Sequence, residues 1–501
     1  MVRMLTLVYN LRMPNFKIPK EVTLISKALS DAGFDAYLVG GCTRDLLRGK
    51  EPKDWDITTN ATPEQIQSLF TDSFYENDYG TVGVKTESED ARLRVVEVTP
   101  YRIESTYSDA RRPDEVIFAK TLKEDLERRD FTINAIAYNP IDKEIVDPHD
   151  GINDIERKSI TTVGKPNDRF SEDALRMLRA IRLSAELDFT IESETATGIA
   201  NNAALLEKIS QERIRDELVR TLMSDTPMQA LYVAQKLGLI TYILPELEEG
   251  IGIKQNQAHS YDVFEHSLRT LQHAADKKWA IEIRLAALMH DIGKPASRRW
   301  SDEKKDYTFH GHEVIGARMT KRIMHRLHFP KEMIEKVVGL VRWHMFFSDP
   351  DKITLSAVRR VIRNVGQDNM WDLLNLRICD RIGTGRPKEQ PFRLRKYTSM
   401  VEEALRDPIS VGQLKIDGSR IMEISGEKPG PRLGLVLHAL LEEVLDDPQK
   451  NSPEYLEKRS LKLLSLSPEK LNELGEKGKI RREEEDDSEI KELRKKYHVD
   501  V

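Results

Sequence analysis

The stretch LVGGCTRDLLRGKEPKDWDIT, residues 38–58, decides the fold. A β-rich run ends in the Gly40 and Gly41 turn, TRDLLRG reads as a short helix, and Asp54-x-Asp56 follows on a strand-like run. Residues i and i+2 of a strand project from one face, so the two carboxylates converge on one point. Such a pair can neutralise two Mg2+ ions about 3.5 to 4 Å apart, which stabilise the attacking and leaving oxygens of phosphoryl transfer. Gly40 and Gly41 let the backbone approach a triphosphate, and Arg44 follows on a helix whose N-terminus favours anions. A bare Asp-x-Asp is most often a solvated strand or turn. GG-x-x-RD in front of it reverses that reading.

Around this centre the chain alternates helix and strand. EVTLISKALSDAG reads as an amphipathic helix ending at Gly33, and YLVGG, WDITT, TVGVKT, RLRVVEVTPY and INAIAYNP read as short strands between turn residues. The pattern predicts an α+β protein: an α/β head over 20–160, a helical neck over 161–248, a His-rich helical body over 249–385 and a helical tail over 386–465, broken by SGEKPGPRLG. Ser171 is the expected cap of the helix SEDALRMLRAIRLSAEL. Residues 466–501, with RREEEDD, read as a solvated helix or disorder.

At 501 residues the chain exceeds what one core serves. The formal net charge of −6 argues against indiscriminate nucleic-acid binding while leaving room for a local basic track. Cys42 and Cys379 are the only cysteines, which excludes a disulfide framework and fits a reducing compartment. No apolar run approaches the ~18 to 20 residues of a membrane span. The opening MVRMLTLVYNLRMPNF lacks a signal-peptide cleavage site, so a cytoplasmic location is expected.

Further motifs give the Asp pair its context. RRDFTINA (128–135) sets two cations beside a carboxylate, suited to a triphosphate and a ribose hydroxyl respectively, and DPHDG (147–151) is a turn. SEDALR places Asp173 and Arg176 at i and i+3, on one helical face. Outside a nucleotide pocket this is an ordinary ion pair. Inside one, Asp173 only accepts and Arg176 only donates, which matches the N4/N3 edge of cytosine and the N6/N1 edge of adenine. Uracil and guanine present the opposite polarity. Each mismatch leaves a buried group unpaired at about 1 to 3 kcal/mol, so two disfavour the wrong base by roughly 30-fold to 10,000-fold.

GGCTRDLLRGKEPKDWD, TPYRIESTYSDARRPDEV, RRDFTINA, DPHDG, SEDALRMLRAIR and ERIRDEL occur in the order of the bacterial class II tRNA nucleotidyltransferases, the CCA-adding enzymes, which the chain resembles from about 20 to 245. A weaker tail match, LKIDGSRIMEISGEKPGPRLG, extends the likeness to about 440. The resemblance implies a β-polymerase-like head with Mg2+ at Asp54 and Asp56. It assigns triphosphate contacts to Gly40, Gly41, Arg44, Arg129 and Asn134, ribose contact to Asp130, base selection to Asp173 and Arg176, and support of the neck to Arg213. Glu97 is a candidate third carboxylate, with a solvated strand Glu as the alternative. The implied partners are tRNA, CTP and ATP, with no membrane and no protein partner. The same architecture serves poly(A) polymerases and CC-only and A-only enzymes. The chain lacks the Gly-Arg-Arg-Phe-like stretch of the poly(A) polymerases, and its segment 101–124, with Arg102, Arg111 and Arg112, is of full length for A addition. Full CCA addition and A-only addition are not separated by inspection.

In the body, His290-Asp291 lies in the apolar helix RLAALMHDIGK, with His266 before it and His310, His312, His344 and Asp380 after it. This resembles the HD phosphohydrolases, which implies a divalent transition metal at His266, His290, Asp291 and Asp380, and a second at His312 and His344. An isolated core His is the ordinary alternative, and such domains also persist as RNA-binding bodies without hydrolysis. Two competing readings are an HD phosphohydrolase with a vestigial head and a tRNA-binding protein without turnover. Arg215, Lys254, Arg298 and Arg299 are candidates to track an acceptor stem, with surface charge the preferred reading.

Overall fold

The computed structural model describes residues 16–76, 80–104, 116–255, 260–346, 353–406, 410–467, 469–471 and 474. Arg111, Arg112 and most of the charged segment 466–501 lie outside the described residues. The chain forms two compact units, Met1–Ile243 and Leu244–Val501.

The first unit opens with α1 (Lys20–Asp31), which buries Val22, Ile25 and Leu29 at helical spacing and gives way to Gly33 at φ +86°. Fully burying each of those aliphatic side chains contributes roughly 1.5 to 3 kcal/mol. The strands that build the head follow: β1 (Tyr37–Val39), β2 (Asp56–Thr59), β3 (Ser73–Tyr75), β4 (Val82–Lys85), β5 (Val95–Pro100), β6 (Arg102–Glu104), β7 (Val116–Phe118), β8 (Ala137–Tyr138) and β9 (Ile145–Val146). Seven of them make one sheet in the order β3-β4-β5-β2-β1-β8-β9, while β6 and β7 pair separately. The β2 and β5 strands are parallel and set Asp56 opposite Glu97. Val96 and Val98 are buried and Glu97 is exposed, the two-residue period of a half-buried strand. Val22, Leu29, Leu38, Ile57, Ile66, Val82, Val96 and Val98 share one core beneath the sheet.

Two helices frame the turn and the adjoining edge: α2 (Gly41–Leu47) and α3 (Pro63–Leu69). Thr62 and Gln65 close a reciprocal capping box on α3, with Pro63 at its first position. Then come α4 (Leu122–Glu127), α5 (Gly151–Glu156), α6 (Pro166–Glu172), α7 (Leu175–Leu187), α8 (Ser193–Asn202) and α9 (Gln211–Met223).

Four local expectations are corrected. Only Asp56 begins the strand, because Asp54 sits in the bend that leads into it. INAIAYNP is mostly not strand: Thr132–Asn134 is a single 3-10 turn and β8 has two residues. Ser171 caps nothing, since its hydroxyl donates to the Asn167 carbonyl within α6. The chain breaks two residues later, at Asp173, with φ −142° and ψ 104°. Asp173 Oδ1 accepts the Leu175 N–H at 3.1 Å, where α7 starts. Asp173 and Arg176 therefore flank a helix junction and do not share one helical face.

The second unit is helical around Val263–Asp276, Ile281–Met289, His312–Arg326, Lys331–Trp343 and Met370–Gly383, with a hairpin of Arg299–Ser301 and Asp306–Thr308. Phe392–Ala404, Gly418–Ser425, Pro431–Asp446 and Pro453–Leu464 follow. No described helix is long and apolar enough to cross a membrane.

Candidate active site and metal centre

A cavity of about 840 Å³ in the first unit is lined by Gly40, Gly41, Arg44, Asp54, Asp56, Arg129, Asp130, Asn134, Asp173 and Arg176. Gly40 has φ +71°, a conformation that favours glycine, and a Cβ there would come within 3.3 Å of Arg129 Nη1 and 3.6 Å of Asp56 Oδ2. A Cβ on Gly41 would lie 3.7 Å from Asp54 Oδ1. Both carboxylates thus face the glycine turn despite the break in strand geometry.

Burial, then the charges of Glu97 and Asp54, push the Asp56 carboxyl up to about 7, and Arg129 offsets part of this. Burial, Glu76 and Asp54 likewise raise Glu97. Mutually repelling oxygens of this kind are the hard donor set that a divalent cation satisfies, so the residues fit such an ion. Glu97 neighbours Asp56 across the sheet but does not line the cavity.

The basic arm is held by contacts that local sequence pattern does not show. Arg129 Nη2 donates to Asp125 Oδ2 at 3.0 Å, and Arg128 pairs with Asp125 Oδ1 at 2.7 Å. Asp125 is fully buried. Arg44 Nη1 donates to Asn134 Oδ1 at 2.9 Å, and Asn134 Nδ2 donates to Asp130 Oδ1 at 3.2 Å. Asp130 Oδ2 meets Arg179 Nη2 at 2.7 Å. At the neck end, Arg213 Nη2 donates to Asp173 Oδ2 at 2.8 Å. Arg176 Nη1 donates to Glu172 Oε2 at 2.7 Å and its Nη2 to the Arg128 carbonyl at 3.1 Å. Beneath them, buried Arg182 pairs with Glu217 at 2.6 Å and Glu186 at 2.7 Å.

The sequence reading missed Asp125, Glu172 and Arg179. An Arg at every third position, 176, 179 and 182, was the available signal for Arg179. Arg102 lines the cavity, whereas Arg215 pairs with Asp216 and Arg298 lies over the Tyr307 ring, so both of these are engaged locally. Lys254 and Arg299 are exposed.

In the second unit, His266, His290 and Asp380 form one group whose ligand atoms lie within 4.8 Å of one another, and Asp291, His312 and His344 form another. Asp291 joins them: its Oδ2 is 3.0 Å from His266 Nε2 and 3.2 Å from His290 Nε2, and its Oδ1 is 3.3 Å from His312 Nε2. The Nδ1 atoms of His290, His312 and His344 lie 2.9, 2.7 and 2.7 Å from the carbonyls of Ala287, Phe309 and Val341. An Nδ1–H donated to a carbonyl leaves Nε2 as the ligating atom, so the donor set fits a divalent transition metal. Lys294 Nζ stands 2.6 Å from Asp291 Oδ2. All six expected ligands converge, and the exposed His310 is not among them.

Three family models match the chain: the poly A polymerase head domain over 36–161, the probable RNA and SrmB-binding site of polymerase A over 188–251, and the HD domain over 263–382. With the carboxylates facing a glycine turn in the cleft, they define a nucleotidyltransferase carrying an HD body. The chain is 33% identical over 447 residues to a CCA-adding enzyme of Lactobacillus delbrueckii subsp. bulgaricus, covering 88% of this chain and 98% of that enzyme. With the CCA-adding enzyme of Enterococcus faecalis it shares 48% identity over 205 residues, 41% of this chain and 49% of that one. The Bacillus stearothermophilus CCA-adding enzyme, solved with CTP, superposes with a TM-score of 0.67 at 26% identity, covering 89% of this chain and 98% of that one. The Thermotoga maritima enzyme, solved with tRNA, shares the fold at a TM-score of 0.54 and 20% identity, over 88% and 94% of the two chains. The chain belongs to the CCA-adding enzymes.

Proposed function

We propose that this chain adds CMP, CMP and AMP, from CTP and ATP, to the 3′ end of tRNA without a nucleic-acid template, working in the cytoplasm. In this reading residues 20–160 are the head, 161–248 the neck, 249–385 the HD body and 386–465 the tail. The observation that carries it is one cavity holding the carboxylate pair, the basic arm and the Asp173 and Arg176 pair together.

Asp54 and Asp56 would hold Mg2+, with Glu97 adding negative charge behind Asp56. The ion supplies charge neutralisation at the α-phosphate and at the leaving pyrophosphate. The backbone at Gly40 and Gly41, with Arg44, Arg129 and Asn134, grips the triphosphate so that the tRNA 3′-hydroxyl meets the α-phosphate in line with the departing pyrophosphate. Asp130 accepts from the ribose. The Leu175 N–H and Arg213 each engage one oxygen of Asp173, and Glu172 and the Arg128 carbonyl each engage one arm of Arg176; the second lone pair of each oxygen and the second N–H of each arm would offer an accepting edge beside a donating edge for the base. Cytosine and adenine satisfy both edges, while uracil and guanine leave two groups unpaired.

The test supplies each labelled nucleotide separately to tRNAs lacking CCA, ending in the second C, and complete. Sequential C, C and A on the first, A alone on the second and nothing on the third is expected. Addition of A only to the CC-ending tRNA would reassign the chain to A-only enzymes, and long A tails would reassign it to poly(A) polymerases. A second reading concerns the HD centre, where four His side chains set Nε2 toward two carboxylates: metal-assisted hydrolysis of a phosphoester, with 2′,3′-cyclic phosphates as the candidate substrates.

A further inference from the structure

The hairpin of Arg299–Ser301 and Asp306–Thr308 is rooted at the HD centre at both of its ends. Its first strand leaves the short helix Lys294–Ser297, whose Lys294 Nζ stands 2.6 Å from Asp291 Oδ2. Its second strand runs straight into Phe309, whose carbonyl lies 2.7 Å from His312 Nδ1 and whose ring centroid lies 5.7 Å from the same Lys294 Nζ. Trp300 and Tyr307 oppose each other across the hairpin, so their side chains share one face, with ring centroids 5.1 Å apart and planes at 77°. The Arg298 guanidinium covers the Tyr307 ring at 3.6 Å, and its Nε finds no hydrogen-bond acceptor among the described residues. Trp300 Nε1 donates to Asp302 Oδ1 at 3.0 Å, which fixes the indole, yet the residue stays 55% exposed. Pairing two strands needs no such open ring. An oriented indole left open beside a guanidinium with an unpartnered N–H is the combination that takes a base and its phosphate.

We propose that this hairpin is the base-binding subsite of the HD centre: Trp300, backed by Tyr307 and Arg298, stacks the base of a nucleoside 2′,3′-cyclic phosphate while the cyclic phosphate reaches the His and Asp cluster. The proposal rests on the reading of that centre as a phosphoesterase and deepens it, because it makes the centre select nucleotides over phosphoesters that carry no base. Every base has a π-face, so a stacking subsite accepts purines and pyrimidines alike. In the reaction, water adds across one P–O bond of the ring. Its oxygen goes to phosphorus and a proton goes to the released ribose hydroxyl, so no co-reactant is needed.

The experiment measures kcat and KM of the full chain, loaded with Mn2+, for adenosine 2′,3′-cyclic phosphate and for glycerol 1,2-cyclic phosphate, which has the same five-membered ring and no base. Wild type is compared with Trp300→Ala and Trp300→Phe, and bound metal is measured by elemental analysis. Trp300→Ala should lower kcat/KM for the nucleotide roughly 5- to 150-fold, through KM, and leave the glycerol ester and the metal content unchanged. Trp300→Phe keeps a ring and should recover part of the loss. A second readout needs no turnover: the difference in tryptophan fluorescence between wild type and Trp300→Phe isolates Trp300, and adenosine 3′-monophosphate should quench it while glycerol phosphate does not. Equal losses for both substrates, as a collapsed hairpin would give, or an unchanged nucleotide KM in Trp300→Ala, overturn the proposal and leave the phosphoesterase reading standing. If wild type hydrolyses neither ester and Trp300 is still quenched, the phosphoesterase reading falls and the nucleotide subsite stands. If Trp300 is not quenched, the subsite is refuted whatever the hydrolysis rates.

Discussion

Replacing Asp56 with Asn should abolish nucleotide incorporation and yet stabilise the protein when divalent cations are stripped away. Burial, Glu97 and Asp54 raise the Asp56 carboxyl from its ordinary 3.8 to about 7. A carboxyl whose folded-state pKa lies above the unfolded value contributes stability that is fully present below pH 4 and is lost as pH climbs through 7. The displacement of about three pH units, at ~1.4 kcal/mol each, sets an upper value of about 4 kcal/mol. Asp56 is only partly buried and Asp54 is exposed, so solvent screens the repulsion. About half of that bound, ~2 kcal/mol, is the working figure. In a unit of this size ~2 kcal/mol corresponds to about 4 to 8 °C in Tm.

Thermal or urea melts in chelator at pH 4 and pH 8 read this out. Wild type and Asp56→Asn should melt together at pH 4, and the variant should melt higher at pH 8. Millimolar Mg2+ should raise wild type at pH 8 and leave the variant nearly unmoved, since only the ionised carboxylate pair gains by binding. A wild type as stable as the variant at pH 8 in chelator would refute the reasoning. So would a gap that widens toward acid.

Two further outcomes follow from the neck and the HD centre. Arg176→Ala should admit UTP and GTP, narrowing discrimination by roughly tenfold or more while changing the triphosphate contribution to KM little; a variant that still excludes both would sink base reading by this pair. His290→Ala should lower bound divalent metal, measured by elemental analysis after dialysis, and remove any 2′,3′-cyclic phosphate hydrolysis; rates equal to wild type would show that the HD centre is not the hydrolytic site.

The parts of the site legible in sequence were those whose chemistry is local. Gly40, Gly41 and the Asp pair lie within 17 residues, and a turn followed by a carboxylate strand is a short-range pattern. The convergence of the six candidate HD ligands was also legible, since an HD dipeptide with further His and Asp on successive apolar helices suits one shared centre. What escaped was backbone that obeys no periodicity. Nothing in SEDALR, which has neither Gly nor Pro, announces that Asp173 leaves the helix. Trp55, Ile57 and Thr58 suit a strand and draw Asp54 into the expected run, yet the strand begins only where β5 supplies hydrogen-bond partners. Asp125 and Arg179 escaped for a related reason: each looks like an ordinary helix charge until tertiary packing sets Asp125 under two arginines and Arg179 against Asp130.

That misreading of Asp173 bears on how a protein side chain can read a base at all. A carboxylate on a regular helix face would be one exposed partner of an i, i+3 pair, worth a few tenths of a kcal/mol and free to change rotamer. At the junction, Asp173 has one oxygen committed to the Leu175 N–H and the other to Arg213, which comes from 40 residues downstream on α9. Arg176, 7% exposed, is fixed by Glu172 and by the Arg128 carbonyl. The accepting and donating edges are thus held by groups on α6, α9 and the head, and no single helix can shift one without the others. The carboxylates of the head are common to any metal-assisted phosphoryl transfer and carry no information about the base. In the proposed base reading, discrimination would reside in the rigidity of this junction, and substitutions at Arg213 or Glu172, which hold Asp173 and Arg176, should then alter specificity as well.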